Sequence, residues 1–107
     1  MEIEFSDWQN LDLRVAEVLE VDEHPDADKL YVLKVKISDE EKTIVAGVKQ
    51  HYSKEELIGK KIIVFTNLKP AVLRGVKSEG MLLAASEGDK VVFLTPEKDI
   101  SSGAKIS

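Results

Sequence analysis

Lys69, Arg74 and Lys77 stand close together in the stretch NLKPAVLRGVKSEGM, in a chain whose formal net charge is −5. Pro70 and Gly75 interrupt regular structure, so Lys69 through Gly80 is expected to be a loop between two strands, with long cationic side chains projecting from it. The chemistry available there is anion recognition. Arg74 can give two parallel hydrogen bonds to one phosphate or stack on a base, which a lysine cannot do. Each neutralised phosphate releases counterions and makes affinity depend on salt, with a slope of roughly −0.7 to −0.9 per contact. Gly75 lets the backbone come close to a ligand. The Ser78 hydroxyl can donate to a phosphate or to a ribose 2′-OH, the group that distinguishes RNA from DNA. Beside it Gly80 leaves room, and Met81 either lies against a base face or fills a gap in the core. Asn67 either bonds a base edge or supports its own loop.

Other cations extend this set. Lys34 and Lys36 share one face of an alternating strand and Lys29 stands at its entrance, so the three can form a positive track or an ordinary solvated face. Lys49 lies beside Tyr52, whose ring can offer a base a stacking platform or pack beneath a helix. His24-Pro25-Asp26-Ala27-Asp28 puts one imidazole near two carboxylates, but a divalent site needs further ligands, and the segment reads better as a tight turn. No nucleophile elbow, phosphate-binding loop or paired-histidine motif is present, so neither catalysis nor a cofactor is expected.

Composition narrows the class further. The chain has 107 residues, 43% of them hydrophobic, which suits one domain spanning 1–107 with a modest core. It has no cysteine and only two histidines, which leaves no disulfide framework, thiolate nucleophile or thiolate-bound zinc. No apolar run is long enough to span a bilayer and no leader pattern opens the chain, so a cytoplasmic protein without a membrane partner is expected. Charge is unevenly distributed: residues 1–28 carry ten acids and one base, residues 29–77 eleven bases and five acids, and residues 78–107 three bases and five acids. A basic middle framed by acidic ends can attract a polyanion locally while the whole stays acidic.

The elements that must hold these residues read mostly as strands. Leu13–Val21, Lys29–Ile37 and Lys42–Ala46 are rich in β-branched residues, and the second places Tyr31, Leu33, Val35 and Ile37 on one face. Ser53-Lys54-Glu55-Glu56-Leu57 has capping-box spacing for a short helix stopped at Gly59. Lys61–Leu68, Met81–Ala85 and Val91–Leu94 are further strands. Five or so strands with a helix between the third and fourth make an all-β oligonucleotide-binding (OB) barrel, which binds on its second and third strands and the neighbouring loops. Phe5, Trp8 and Leu11 predict a short N-terminal helix over 1–11, starting near a serine or aspartate cap, whose apolar face anchors a second copy.

The segments Asp12-Leu13-Arg14-Val15, His24 to Tyr31, Val45-Ala46-Gly47, Asn67-Leu68-Lys69-Pro70 and Arg74 to Ala84 resemble, in order and spacing, the tRNA-binding domain family. Its members stand alone as small dimeric proteins or are attached to methionyl-tRNA synthetase. The resemblance implies tRNA binding by folded shape, sequence-tolerant, as a homodimer, either free-standing or as an accessory subunit of that synthetase. It also implies that the Ser78–Met81 segment lies at the RNA. A related branch resembles an export chaperone that binds unfolded polypeptide, which is the competing expectation. That branch typically lacks the complete His-Pro-x-Ala-Asp-Lys-Leu and Gly-Met segments found here.

Overall fold

The computed structural model describes residues 1–107. A one-turn helix, α1 (Phe5–Gln9), precedes β1 (Leu13–Glu23), β2 (Tyr31–Ile37), β3 (Glu40–Ala46), helix α2 (Lys54–Leu57) and β4 (Lys61–Phe65). Then come β5 (Ala71–Leu73), β6 (Val76–Ser78), β7 (Met81–Leu82), β8 (Ala84–Glu87) and β9 (Lys90–Phe93). Five strands form a curled antiparallel sheet in the order β3-β2-β1-β4-β7, the all-β barrel-like arrangement the pattern predicts. β1 serves both halves: its first residues pair with β4 and its last with β2, and an irregularity between Val18 and Glu20 bends it from one to the other.

Strict alternation in β2 buries Tyr31, Leu33, Val35 and Ile37 and leaves Lys34 and Lys36 outside. These meet Val18, Ile44, Ile62 and Val64 in the main core, which α2 closes with the fully buried Leu57. Each such side chain contributes about 1.5–3 kcal/mol by leaving water. The capping box forms as expected: Ser53 Oγ accepts from the Glu56 amide at 3.3 Å and the Glu56 carboxylate accepts from the Ser53 amide at 2.8 Å. Gly59 then turns with φ +83.

A second cluster, Leu13, Val15 and Ile63, lies apart from the main core on β1 and β4 and is covered by Trp8, Phe65, Leu83, Ala104 and Ile106. The C-terminal segment runs along β1: the Val15 amide donates to the Ala104 carbonyl at 2.9 Å and the Ile106 amide to the Leu13 carbonyl at 2.9 Å.

Several boundaries depart from expectation. Residues 69–80 are not a plain loop but contain the β5–β6 hairpin, whose Arg74-Gly75 turn has φ of 52° and 90°. That is the mirror-image geometry of a two-residue hairpin, usually built on Asn-Gly, and an arginine in its first position gives no advance signal. The expected strand 61–68 stops at Phe65, and 81–85 divides at Leu83 between the main sheet and the separate β8–β9 hairpin. Helix α1 ends at Gln9, leaving Leu11 outside it, and is capped at Glu4, whose amide donates to the Asp7 carboxylate.

Candidate nucleic-acid interface

Closure of the barrel decides what the Ser78-Glu79-Gly80-Met81 segment can do. The free edge of β3 is satisfied by side chains: the Val45 amide donates to Ser78 Oγ at 2.9 Å and the Thr43 amide to the Glu79 carboxylate at 2.9 Å. The Glu79 amide returns a bond to the Thr43 carbonyl at 2.8 Å. Ser78 is buried, and its hydroxyl donates to the Gly80 carbonyl at 2.8 Å. With its proton given to Gly80 and its oxygen accepting from Val45, it has no donor for a phosphate or a ribose hydroxyl. The expectation that Ser78 contacts RNA directly is therefore corrected to a closing role. Gly80 is required by space, since a Cβ there would lie 2.8 Å from the Phe65 carbonyl oxygen. Met81 is half exposed and lines a mostly apolar groove of about 290 Å³ with Val45, Val48 and Val91.

Asn67 is committed as well. Its side-chain oxygen accepts from the Asp12 amide at 2.9 Å and its side-chain nitrogen donates to the Asn10 carbonyl at 2.7 Å. Next to it the Thr66 hydroxyl donates to the Asp12 carboxylate at 2.7 Å, and Arg14 Nε lies 2.8 Å from the other carboxylate oxygen. The Thr66 bond first, with the Arg14 bond and charge behind it, holds the Asp12 carboxyl below the usual range, although partial burial opposes this. This node fixes the exit of β4 and so the root of the hairpin. It also lines a cleft of about 390 Å³ in which Arg14 and Lys42 face Asp12 and Glu40, so neither sign of charge dominates there.

Register places acidic residues beside the sheet lysines. Lys34 pairs across β1 with Glu20 and across β3 with Thr43, and its ammonium lies 3.7 Å from Glu20 and 3.9 Å from Glu41. Lys36 sits between Glu17 and Glu41 in the same ladder. The expected positive track over β2 is therefore an alternating-sign surface. Lys49 is bound to Glu23 at 2.5 Å, with Lys54 on the other oxygen at 3.6 Å. That bond raises the Lys49 pKa and, with the lysine charges, lowers that of Glu23. Lys49 is thus an ion-pair partner rather than a free cation.

Lys69, Arg74 and Lys77 are exposed and, like Lys36, have no ion-pair partner. They stand around the β5–β6 hairpin, where Lys77 is opposite Val72, which is 68% exposed. Lys29 is exposed and unpaired in the loop joining β1 to β2. That loop is tied to the hairpin, because His24 Nε2 lies 2.8 Å from the Leu73 carbonyl. This bond therefore joins the loop that carries Lys29 to the hairpin around which Lys69, Arg74 and Lys77 stand. Sequence reasoning missed Asp12, Arg14, His24 and Glu79 as the groups that hold this arrangement. Their signal was membership in short motifs whose chemistry was not otherwise explained.

At the N-terminus, Trp8 packs on its own chain's Leu13, Val15 and Ile63, with Leu11 half-buried nearby, whereas Phe5 is 70% and Ile3 64% exposed.

Residues 13–105 match the family described as "Putative tRNA binding domain". The chain is 51% identical over 104 residues to a methionine–tRNA ligase of Nanoarchaeum equitans, covering 97% of this chain and 13% of that protein. Against eight such ligases it spans 13% to 17% of their length. A crystal structure of a MetRS-related protein from Pyrococcus horikoshii is similar over 100% of both chains, with a TM-score of 0.92 and 34% identity. A crystal structure of the chaperone CsaA from Bacillus anthracis is similar over 100% of both chains, with a TM-score of 0.91 and 30% identity.

Proposed function

Since the chain belongs to the tRNA-binding domain family, we propose that it binds tRNA through the barrel rim, gripping the ribose-phosphate backbone with Arg74, Lys77, Lys69 and Lys29. The observation that carries this reading is the contrast in pairing: these cations are exposed and unpaired on neighbouring loops, whereas Lys34 and Lys49 have carboxylate partners. OB barrels bind oligonucleotides beside the loops after their first and fourth strands, which are the loops joined here. Contacts to phosphates position a protein without reading bases, so binding depends on the tRNA's shape and tolerates its sequence.

The domain itself performs no chemistry in this reading. It works in the cytoplasm as a homodimer, free-standing or as an accessory of methionyl-tRNA synthetase, and raises the local concentration of tRNA at that catalytic partner. Exposed Phe5 and Ile3 support a contact between copies through the N-terminal segment. A second reading, a chaperone-like module for unfolded polypeptide, is favoured by the apolar groove beside Met81 and by the likeness to CsaA. A filter-binding titration with several unrelated tRNAs, a matched DNA hairpin and an unfolded protein separates the two. Comparable affinity for every tRNA, lost in high salt, supports the first; retention of unfolded protein alone supports the second. Sedimentation at micromolar concentration tests the dimer, and a monomer would remove it.

A further inference from the structure

We propose that His24 is a positioning residue for the RNA-binding rim, clamping the tip of the hairpin that carries Arg74 to the loop that carries Lys29; the proposal rests on the reading above. His24 is only 6% exposed, and both ring nitrogens are engaged. Nδ1 accepts from the Asp26 amide at 3.0 Å, so it bears no proton, and Nε2 carries the hydrogen that it donates to the Leu73 carbonyl at 2.8 Å. With both nitrogens used, the histidine of His-Pro-Asp-Ala-Asp is a fastener and leaves no lone pair for a metal.

The hairpin needs such a fastener. Its two strands have three residues each, and all of β5 is exposed, so the pair buries little. A two-stranded ribbon of this kind is marginal in water by itself. Ser78 pins its base to β3, and the Leu73 carbonyl that receives the His24 proton directly precedes Arg74, whose φ of 52° is unfavourable for an arginine. The imidazole therefore supports the strained turn and fixes the spacing between cations from two distant parts of the chain.

The test uses His24→Gln, which keeps an N–H donor near the Nε2 position, and His24→Asn, which keeps an acceptor near Nδ1 but does not reach Leu73. Amide hydrogen exchange across residues 71–78 is measured in RNA-free protein, and affinity for an unmodified tRNA transcript is measured alongside Arg74→Glu. The expected result is that Asn speeds hairpin exchange about tenfold and weakens binding about five- to tenfold, while Gln stays within about twofold. Equal behaviour of Gln and Asn, or unchanged exchange in both, overturns the clamp. Faster exchange without weaker binding overturns the positioning role if Arg74→Glu still abolishes affinity, and overturns the rim reading itself if Arg74→Glu binds normally. Independently of whether either variant folds, imidazole ¹⁵N shifts of the unmutated protein must report a protonated Nε2; a protonated Nδ1 contradicts the proposal.

Discussion

The outer face of β2 and the β5–β6 hairpin both display lysine, but the two regions are electrostatically different. On β2 the ladder puts Glu20, Glu17 and Glu41 in register with Lys34 and Lys36, and the Lys34 ammonium has two carboxylates within 4 Å. Exposed pairs like these add little to stability, about 0–1 kcal/mol each, and their main effect is to remove a local field. On the hairpin, Lys77 stands opposite Val72 instead of an acid, and no carboxylate lies within 4 Å of Arg74 or Lys77. The number of cations in a segment therefore says less about polyanion binding than the strand register that assigns their neighbours.

The sharpest way to break that comparison is charge reversal. Arg74→Glu with Lys77→Glu should weaken tRNA binding by about a hundredfold or more near physiological salt, whereas Lys34→Glu with Lys36→Glu should change it less than about threefold. Equal losses in a filter-binding assay would erase the distinction. Next in size, Ser78→Ala leaves the buried Val45 amide without its acceptor and should cost about 1–3 kcal/mol of stability in a denaturant titration, while the folded variant, its hairpin loosened only at the base, loses no more than about tenfold in tRNA affinity. A loss in fully folded Ser78→Ala as large as that of the Arg74/Lys77 reversal would return Ser78 to the RNA contact surface.

Smaller effects sharpen the contrast further. Arg74→Asn suits the left-handed turn and should stabilise the protein by about 0.5–1 kcal/mol while weakening tRNA binding, a dissociation between stability and affinity visible by thermal melting and titration together. Asp12 is expected to show a modest pH effect. Its folded pKa is depressed, so its contribution to stability is complete above the unfolded value near about 4 and is lost as pH falls through the lower folded value. Asp12→Asn should accordingly flatten the acid limb of stability below about pH 4 and leave the neutral limb's slope unchanged.

Much of this architecture was legible in the sequence. Alternation in Tyr31–Ile37, the Ser53–Glu56 cap and the punctuation by Gly59 each express local rules that the structure obeys. The rim cations were legible too, as charge and exposure in a Pro- and Gly-punctuated segment. The fate of Lys34 and Lys49 was not, because it depends on which acidic residues the register delivers from β1 and β3. Ser78 was chosen for its donor hydroxyl and for the resemblance of its segment to the family's RNA-binding region, and only closure against β3 makes that hydroxyl a substitute for a backbone carbonyl. The packing of Trp8 on Leu13, Val15 and Ile63 of its own chain was not legible either, since those residues lie on two separate strands.

The central claim is most directly tested by the slope of log affinity against log salt for tRNA binding, compared among the unmutated protein, Arg74→Gln/Lys77→Gln and Lys34→Gln/Lys36→Gln. Neutralising the hairpin pair should reduce the slope's magnitude by about 1.4–1.8, two phosphate contacts' worth, and neutralising the sheet pair should leave it unchanged. A slope that falls for the β2 pair and persists for the hairpin pair would contradict the account.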